Sequence, residues 1–325
     1  MRAAVLERLS GPDGIGLGDR PAPQTNGGSV LVDVYAAGVS FPDLLLSQGL
    51  YQMRPEVPFV MGLEAAGVVV DAPDSAGVRP GQRVVVTTLG CWTERVTAAP
   101  ESVFPLPDEL TMAQGAGLMM NYHTAHFALV RRGRLQAGET LLVHGAAGGV
   151  GSAAVQVARA LGARVVAVVS DERKEEAARQ LGAEACVRAG EGWLSRVREV
   201  RPAGVDAIFD PVAGDTFDDS VRALAPEGRL IVIGFAGGSI PTLAMNRVLF
   251  RNIDIVGAAW GAFLEKHPQI RAATHQDLLR MAAEGFVDTL VGAELPLERA
   301  ADAVRLIGDR KAIGKVVLTV REEQR

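Results

Sequence analysis

The run TLLVHGAAGGVGS at residues 140–152 constrains this chain most, because an apolar strand passes straight into a glycine turn that opens a helix. Gly145, Gly148, Gly149 and Gly151 allow a tight turn and a close backbone approach. The helix behind them offers unpaired N–H groups and the positive end of its dipole, which suits a diphosphate. Residues 141–144 read as a buried strand, 152–161 as an Ala/Val helix and 164–169 as a second strand, together one βαβ unit. A purely structural turn would need only one or two glycines. The expected dinucleotide contacts here are Gly145, Ala147, Gly148, Gly149 and Val150.

A chain of 325 residues has room for about two domains. Its net charge of −5 and the lack of any Lys- or Arg-rich run argue against nucleic acid or an anionic membrane as partner. Cys91 and Cys186 stand far apart without a CxxC pair, so neither a disulfide framework nor a cysteine-rich zinc site is expected. A reducing cytoplasm fits that usage. The start of the chain has charges where a signal peptide needs an apolar core. The longest nearly uncharged run, 140–158, is broken by His144, glycines and Gln156, and does not read as a transmembrane helix.

Before residue 120 the pattern is one of short strands punctuated by Gly and Pro, at 29–35, 65–71 and 83–87, which predicts a β-rich domain. From Thr140 strand and helix alternate, with further strands at 205–209, 229–233 and 253–256 and helices at 173–181, 193–200 and 215–224. That alternation predicts a parallel, doubly wound sheet. The tail, with helices at 276–284 and 298–307 and a strand at 315–320, is expected to return to the first domain. The expected division is 1–123 with 260–325, and 124–259 between them.

Taken together, GVSFPD at 38–43, FVMGLEAAGV at 59–68 and HGAAGGVG at 144–151 resemble the medium-chain dehydrogenase/reductase superfamily over essentially the whole chain. DPVAGD at 210–215 and GRLIVIGF at 228–235 are similar to its zinc-free, zeta-crystallin-like NADPH:quinone oxidoreductase branch. The resemblance implies an α/β fold: a GroES-like β-rich catalytic domain, an inserted six-stranded Rossmann domain, and an active site in the cleft between them. It also implies a homodimer joined through edge strands, with 253–256 contributing.

Zinc-dependent relatives carry Cys-His in the first of these segments and Gly-His-Glu in the second, the soft and imidazole ligands of a catalytic metal. Here Ser40-Phe41 and Leu63 stand in those places. Glu64 remains, but alone it cannot assemble a three-ligand site, and the structural four-cysteine lobe is missing. His123, His126, His144, His267 and His275 show no ligand motif. No metal is expected, and hydride transfer to a quinone or activated alkene becomes the better reading.

An NAD fingerprint wants an acid about 20 residues after the glycines. Ser170 stands there, followed by Arg173 and Lys174, which offer charge to a 2′-phosphate. Lys174 matches a lysine that resembles the phosphate-binding one of NADPH-dependent relatives, so NADPH is the expected cofactor. Asp171 is adjacent, and the competing reading is a helix first turn with solvated charges. Tyr51 matches a tyrosine that resembles the proton donor of related enoyl-thioester reductases; half-buried packing is the alternative. Ser40 replaces the asparagine common in this branch, though its hydroxyl can still donate.

The resemblance further places Thr124 facing the nicotinamide, Phe235, Ala236 and Gly237 in a loop over the same end of the cofactor, and Lys315 at the pyrophosphate. Trp260 and Phe263 could stack on a planar acceptor or simply pack a domain junction. The leading expectation is thus a metal-free NADPH:quinone reductase acting on a small molecule. Reduction of α,β-unsaturated ketones, aldehydes or enoyl thioesters is the second reading, and a non-catalytic NADPH-binding regulator the third.

Overall fold

A computed structural model describes residues 1–25 and 27–322. The chain forms two compact units, one of Met1–Asn121, Pro268–His275 and the residues from Thr289 onward, the other of Tyr122–His267 with Gln276–Asp288.

In the first unit a seven-stranded sheet runs in the order Val291–Pro296, Lys315–Thr319, Val30–Val39, Glu64–Asp71, Arg83–Thr87 and Val103–Pro105, with Arg95–Ala98 also paired to Val30–Val39. All its pairings are antiparallel except the first. The strands are rich in valine, whose branched side chains pack well on a pleated surface. Val30, Val32, Val34, Val84, Val86, Val316 and Leu318 form a core around the fully buried Trp92. The Trp92 indole donates to the Gly38 carbonyl at 3.0 Å, satisfying its one polar atom. A smaller sheet joins Ile15–Asp19, Arg2–Leu6 and Phe59–Val60. The helix Phe41–Ser47 begins with Pro42 in its first turn, where a missing N–H costs nothing.

The second unit holds a six-stranded, wholly parallel sheet in the order Ala185–Arg188, Arg164–Val169, Thr140–His144, Val205–Asp210, Leu224–Val232 and Asp254–Gly257. Counted along the chain this is 3-2-1-4-5-6, the doubly wound arrangement expected. Its central strands read as continuous apolar runs because both faces are covered. Helix Gly149–Ala160 buries Ala153, Ala154, Val155, Val157 and Ala158. The third strand, Ala185–Arg188, was not anticipated, and the fifth starts at Leu224 rather than 229.

The tail expected to return whole to the first domain instead contributes 260–267 and 276–288 to the second unit. Trp260 and Phe263 pack on Phe127, with ring centroids 5.1 and 4.9 Å away. Further on, the Gln156 side chain brackets Asp288, accepting from its N–H at 2.6 Å and donating to its carbonyl at 2.8 Å. Tyr122 donates to that carbonyl as well.

The outermost strand, Asp254–Gly257, has one open edge. Just before it in the chain stand the most exposed large apolar residues, Ile240 (76%), Met245 (71%), Leu249 (69%) and Phe250 (78%). Among the described residues no helix is long and apolar enough to cross a membrane.

Candidate functional site

The first parallel strand ends at His144, and the chain turns at Gly145, whose φ of +59° favours glycine. Gly148 N–H closes the turn onto the Gly145 carbonyl at 2.9 Å, and the helix starts at Gly149. A Cβ on Gly151 would sit 2.1 Å from the Gly145 oxygen, so only glycine lets the helix begin so close beneath the turn. Ala147 is buried, while Gly148, Gly149 and Val150 are half-buried. The first turn of the helix carries no acidic residue to oppose an anion. This backbone cradle fits a dinucleotide diphosphate.

His144 lies behind the turn with its Nε2 2.8 Å from Ser220 Oγ. Ser220 spends its own proton on the Thr216 carbonyl, so the imidazole must donate and carries its hydrogen on Nε2. Burial pushes its pKa down, and it packs edge-on against Trp193 at 4.9 Å. It is a neutral support for the turn.

Asp210 ends the fourth strand, fully buried, and its Oδ1 accepts the N–H groups of Val212 (2.9 Å) and Ala213 (2.8 Å). Those bonds hold Ala213 at φ +52°, a conformation that strains an L-residue. The loop after the fifth strand hangs on the same backbone. Ala236 N–H donates to the Pro211 carbonyl at 3.0 Å and Gly237 N–H to that of Val212 at 2.7 Å, with Phe235 partly exposed beside them. Gly145 also approaches the Val212 side chain. The structure thus gathers Gly145 and Phe235–Gly237 at the carboxyl ends of the first, fourth and fifth strands, where doubly wound sheets take their ligands.

At the end of the second strand Ser170, Asp171 and Lys174 form a closed ring. Ser170 Oγ donates to Asp171 Oδ2 at 2.8 Å, and Lys174 Nζ donates to Ser170 Oγ at 3.0 Å. Asp171 Oδ1 caps the helix Glu172–Gln180 by accepting from Lys174 N–H at 3.0 Å. Burial pushes the Asp171 carboxyl up, but the hydrogen bonds from Lys174 and Ser170 outweigh it and hold the group below its ordinary value. Arg173 is exposed on the same turn. Arg188, at the end of the third strand, is paired with Glu175 at 3.2 Å. Thr124 is half-buried in the short helix His123–His126 of the same unit.

The first unit holds a buried charge cluster. The N–H and Oγ–H of Ser40 both donate to Asp43 Oδ2 at 2.8 Å, so this hydroxyl points its proton inward. Asp43 is fully buried, its Oδ1 has no hydrogen-bond partner, and desolvation pushes its pKa up to about 7. Tyr51 is half-buried against the core; burial, and next the Asp43 charge, push its phenol above its usual value, so it keeps its proton at neutral pH.

Lys315, expected at the pyrophosphate, is buried within the first unit. Its side chain is 1% exposed and its ammonium is paired with Glu64, whose Oε2 accepts Met120 N–H at 2.9 Å. Gly38 makes room for the pair, since a Cβ there would come within 2.7 Å of Lys315 Cε and 2.8 Å of Glu64 Cγ. A pyrophosphate role is replaced here by neutralisation of a buried carboxylate. A sign of this was present in the sequence: a lysine opening the apolar strand KVVLT must find an acid once the strand is buried. Trp260 and Phe263 serve the packing around Phe127 described above.

Among the described residues no group of three or more His, Cys, Asp or Glu side chains is placed to hold a metal ion.

Residues 26–132 match the alcohol dehydrogenase GroES-like domain, and 149–279 the family described as zinc-binding dehydrogenase. Quinone oxidoreductase-like protein 2 of Rattus norvegicus is 35% identical over 326 residues, covering 98% of this chain and 92% of the relative. A probable oxidoreductase from Mycobacterium abscessus superposes with a TM-score of 0.91 at 43% identity, over 98% of this chain and 99% of that one. A mycobacterial protein solved in complex with NADPH superposes at 0.89 with 31% identity, over 98% and 100%. With a Rossmann sheet and a GroES-like unit in place and relatives matched end to end, the chain belongs to the medium-chain dehydrogenase/reductase family.

Proposed function

We propose that this chain is an NADPH-dependent oxidoreductase that delivers hydride to a quinone without a metal. The observation that carries the nucleotide reading is that a Cβ at Gly151 would clash with the Gly145 carbonyl, so that glycines alone allow this backbone turn at a helix N-terminus and a topological switch point. NADPH, when bound, supplies the hydride. The N–H groups of residues 149–151 would hold the diphosphate, and Ser170, Arg173 and Lys174 would hold the 2′-phosphate. Thr124 and the Phe235–Gly237 loop orient the nicotinamide end.

Tyr51, which keeps its proton at neutral pH, can hydrogen-bond the acceptor carbonyl, and the Ser40 hydroxyl is fixed by Asp43. Positioning in a dry site supplies most of the catalysis. Ser40, Phe41 and Leu63 offer no imidazole or thiolate, which supports zinc independence. The quinone acceptor is supported by the similarity to quinone oxidoreductase-like protein 2 of the rat. A protonated Tyr51 favours the second reading, reduction of an α,β-unsaturated carbonyl, in which the phenol protonates the carbon skeleton.

Turnover of a quinone panel beside enones and enoyl thioesters, with NADPH and an excess of chelator, tests the proposal. Quinone reduction that survives chelation supports it. Reaction of only the enones or thioesters replaces it with the second reading, and tight NADPH binding with no turnover makes the chain a regulator.

A further inference from the structure

The ring Ser170–Asp171–Lys174 joins groups of opposite meaning for a nucleotide. Ser170 Oγ and Lys174 Nζ are donors suited to a 2′-phosphate, but the carboxylate that organises them lies within the same cluster. Asp171 Oδ2 already accepts the Ser170 hydroxyl at 2.8 Å and stands 3.6 Å from the Lys174 ammonium. A phosphate bound by the two donors therefore meets a fixed negative charge a few ångströms away, and it must compete with that carboxylate for both of them. A ribose with free hydroxyls meets the reverse: Asp171 Oδ2, one residue past the position where NAD-type sites carry their acid, is an acceptor for them.

We infer that Asp171 is a specificity-determining residue that opposes the 2′-phosphate, so that the chain uses both nucleotides with a narrow preference set at this one side chain. The inference rests on the nucleotide reading above and adds to it. Asp171 cannot be spared for this purpose without replacing its cap, because Oδ1 accepts the Lys174 N–H in the first turn of the helix Glu172–Gln180. Asparagine supplies the same capping oxygen without the charge.

The experiment measures dissociation constants of NADPH and NADH by fluorescence titration for the wild type, Asp171→Asn, Asp171→Ser and Asp171→Asn with Lys174→Ala. The wild type should bind both nucleotides. Asp171→Asn should tighten NADPH and weaken NADH, moving their ratio on the order of tenfold toward NADPH, as expected for one neighbouring charge near a protein surface. Measured against Lys174→Ala alone, the double variant should gain less for NADPH than Asp171→Asn gains over the wild type, because part of that gain is Lys174 released to the phosphate; a merely structural effect of the cap would give equal gains.

Asp171→Ser retains a capping oxygen and should shift the ratio the same way, so the inference stays testable if the asparagine variant folds poorly. A ratio that stays put in both variants, or equal changes for both nucleotides, overturns the role of Asp171 while leaving the nucleotide site intact. Failure of the wild type to bind either nucleotide overturns the site itself, and this inference with it.

Discussion

Lys315 and Glu64, 251 residues apart in the chain, form an ion pair with both side chains 1% exposed. Neither charge has water to fall back on, so each depends on the other and on the Met120 N–H that Glu64 also accepts. Lys315→Met should therefore cost about 3–5 kcal/mol of stability, because it strands a buried carboxylate. Lys315→Met with Glu64→Gln should recover much of that loss. Urea denaturation of the two variants checks this, and an equal loss in both would mean that the pair is not the source.

Asp43 predicts a pH dependence of stability. Its folded pKa is raised to about 7 by burial, against an unfolded value of about 4. An acid of this kind holds its proton more tightly when folded, so its contribution is full below about pH 4, falls as pH rises toward 7 and is lost above that. Asp43→Asn, close in shape to the neutral acid, should flatten the part of the slope between pH 4 and 7. Melting temperatures of both proteins across that window test the sign.

Lys174→Ala should weaken NADPH about tenfold or more, the effect of losing a charge-assisted contact to phosphate, while NADH changes little. Equal losses for the two nucleotides would remove Lys174 from the phosphate.

Acid catalysis contributes roughly 10² to 10⁴-fold, so Tyr51→Phe should slow enone or enoyl-thioester reduction by that order. Quinone reduction, whose product oxygens take protons from water, should fall much less. A raised KM with intact kcat for both acceptors would make Tyr51 a binding residue, and no change in either would leave it as packing.

Exposed Ile240, Met245, Leu249 and Phe250, continuous in sequence with the open edge strand Asp254–Gly257, support pairing with a second copy. Light scattering at low micromolar concentration should give twice the 34.2 kDa chain mass. Phe250→Asp should shift the protein toward monomer, and a wild type that is already monomeric excludes this assembly.

The parallel sheet was legible because long apolar runs such as Thr140–His144 and Arg164–Val169 can only be buried strands between covering helices. Ala185–Arg188 escaped notice because four residues ending in arginine carry no period. The glycine turn was legible since backbone chemistry is written locally, in consecutive residues. The pairing of Lys315 with Glu64 is not legible in the sequence, because the two are distant along the chain and close only after Val30–Val39 brings Lys315–Thr319 and Glu64–Asp71 to its two sides. Asp43 closes the segment GVSFPD, yet its burial and its hold on Ser40 depend on how the helix Phe41–Ser47 docks.

The backbone of Pro211 and Val212 carries the Ala236 and Gly237 amides on its carbonyls and is itself fastened by the Asp210 carboxylate. The contour of this part of the site is consequently a property of main-chain atoms, with one buried acid as its fastening. Side chains along the loop can then be exchanged over generations with little change of shape, whereas altering Asp210 would release both walls together. A site built in this manner can acquire new acceptors by redecorating an unchanged main-chain frame.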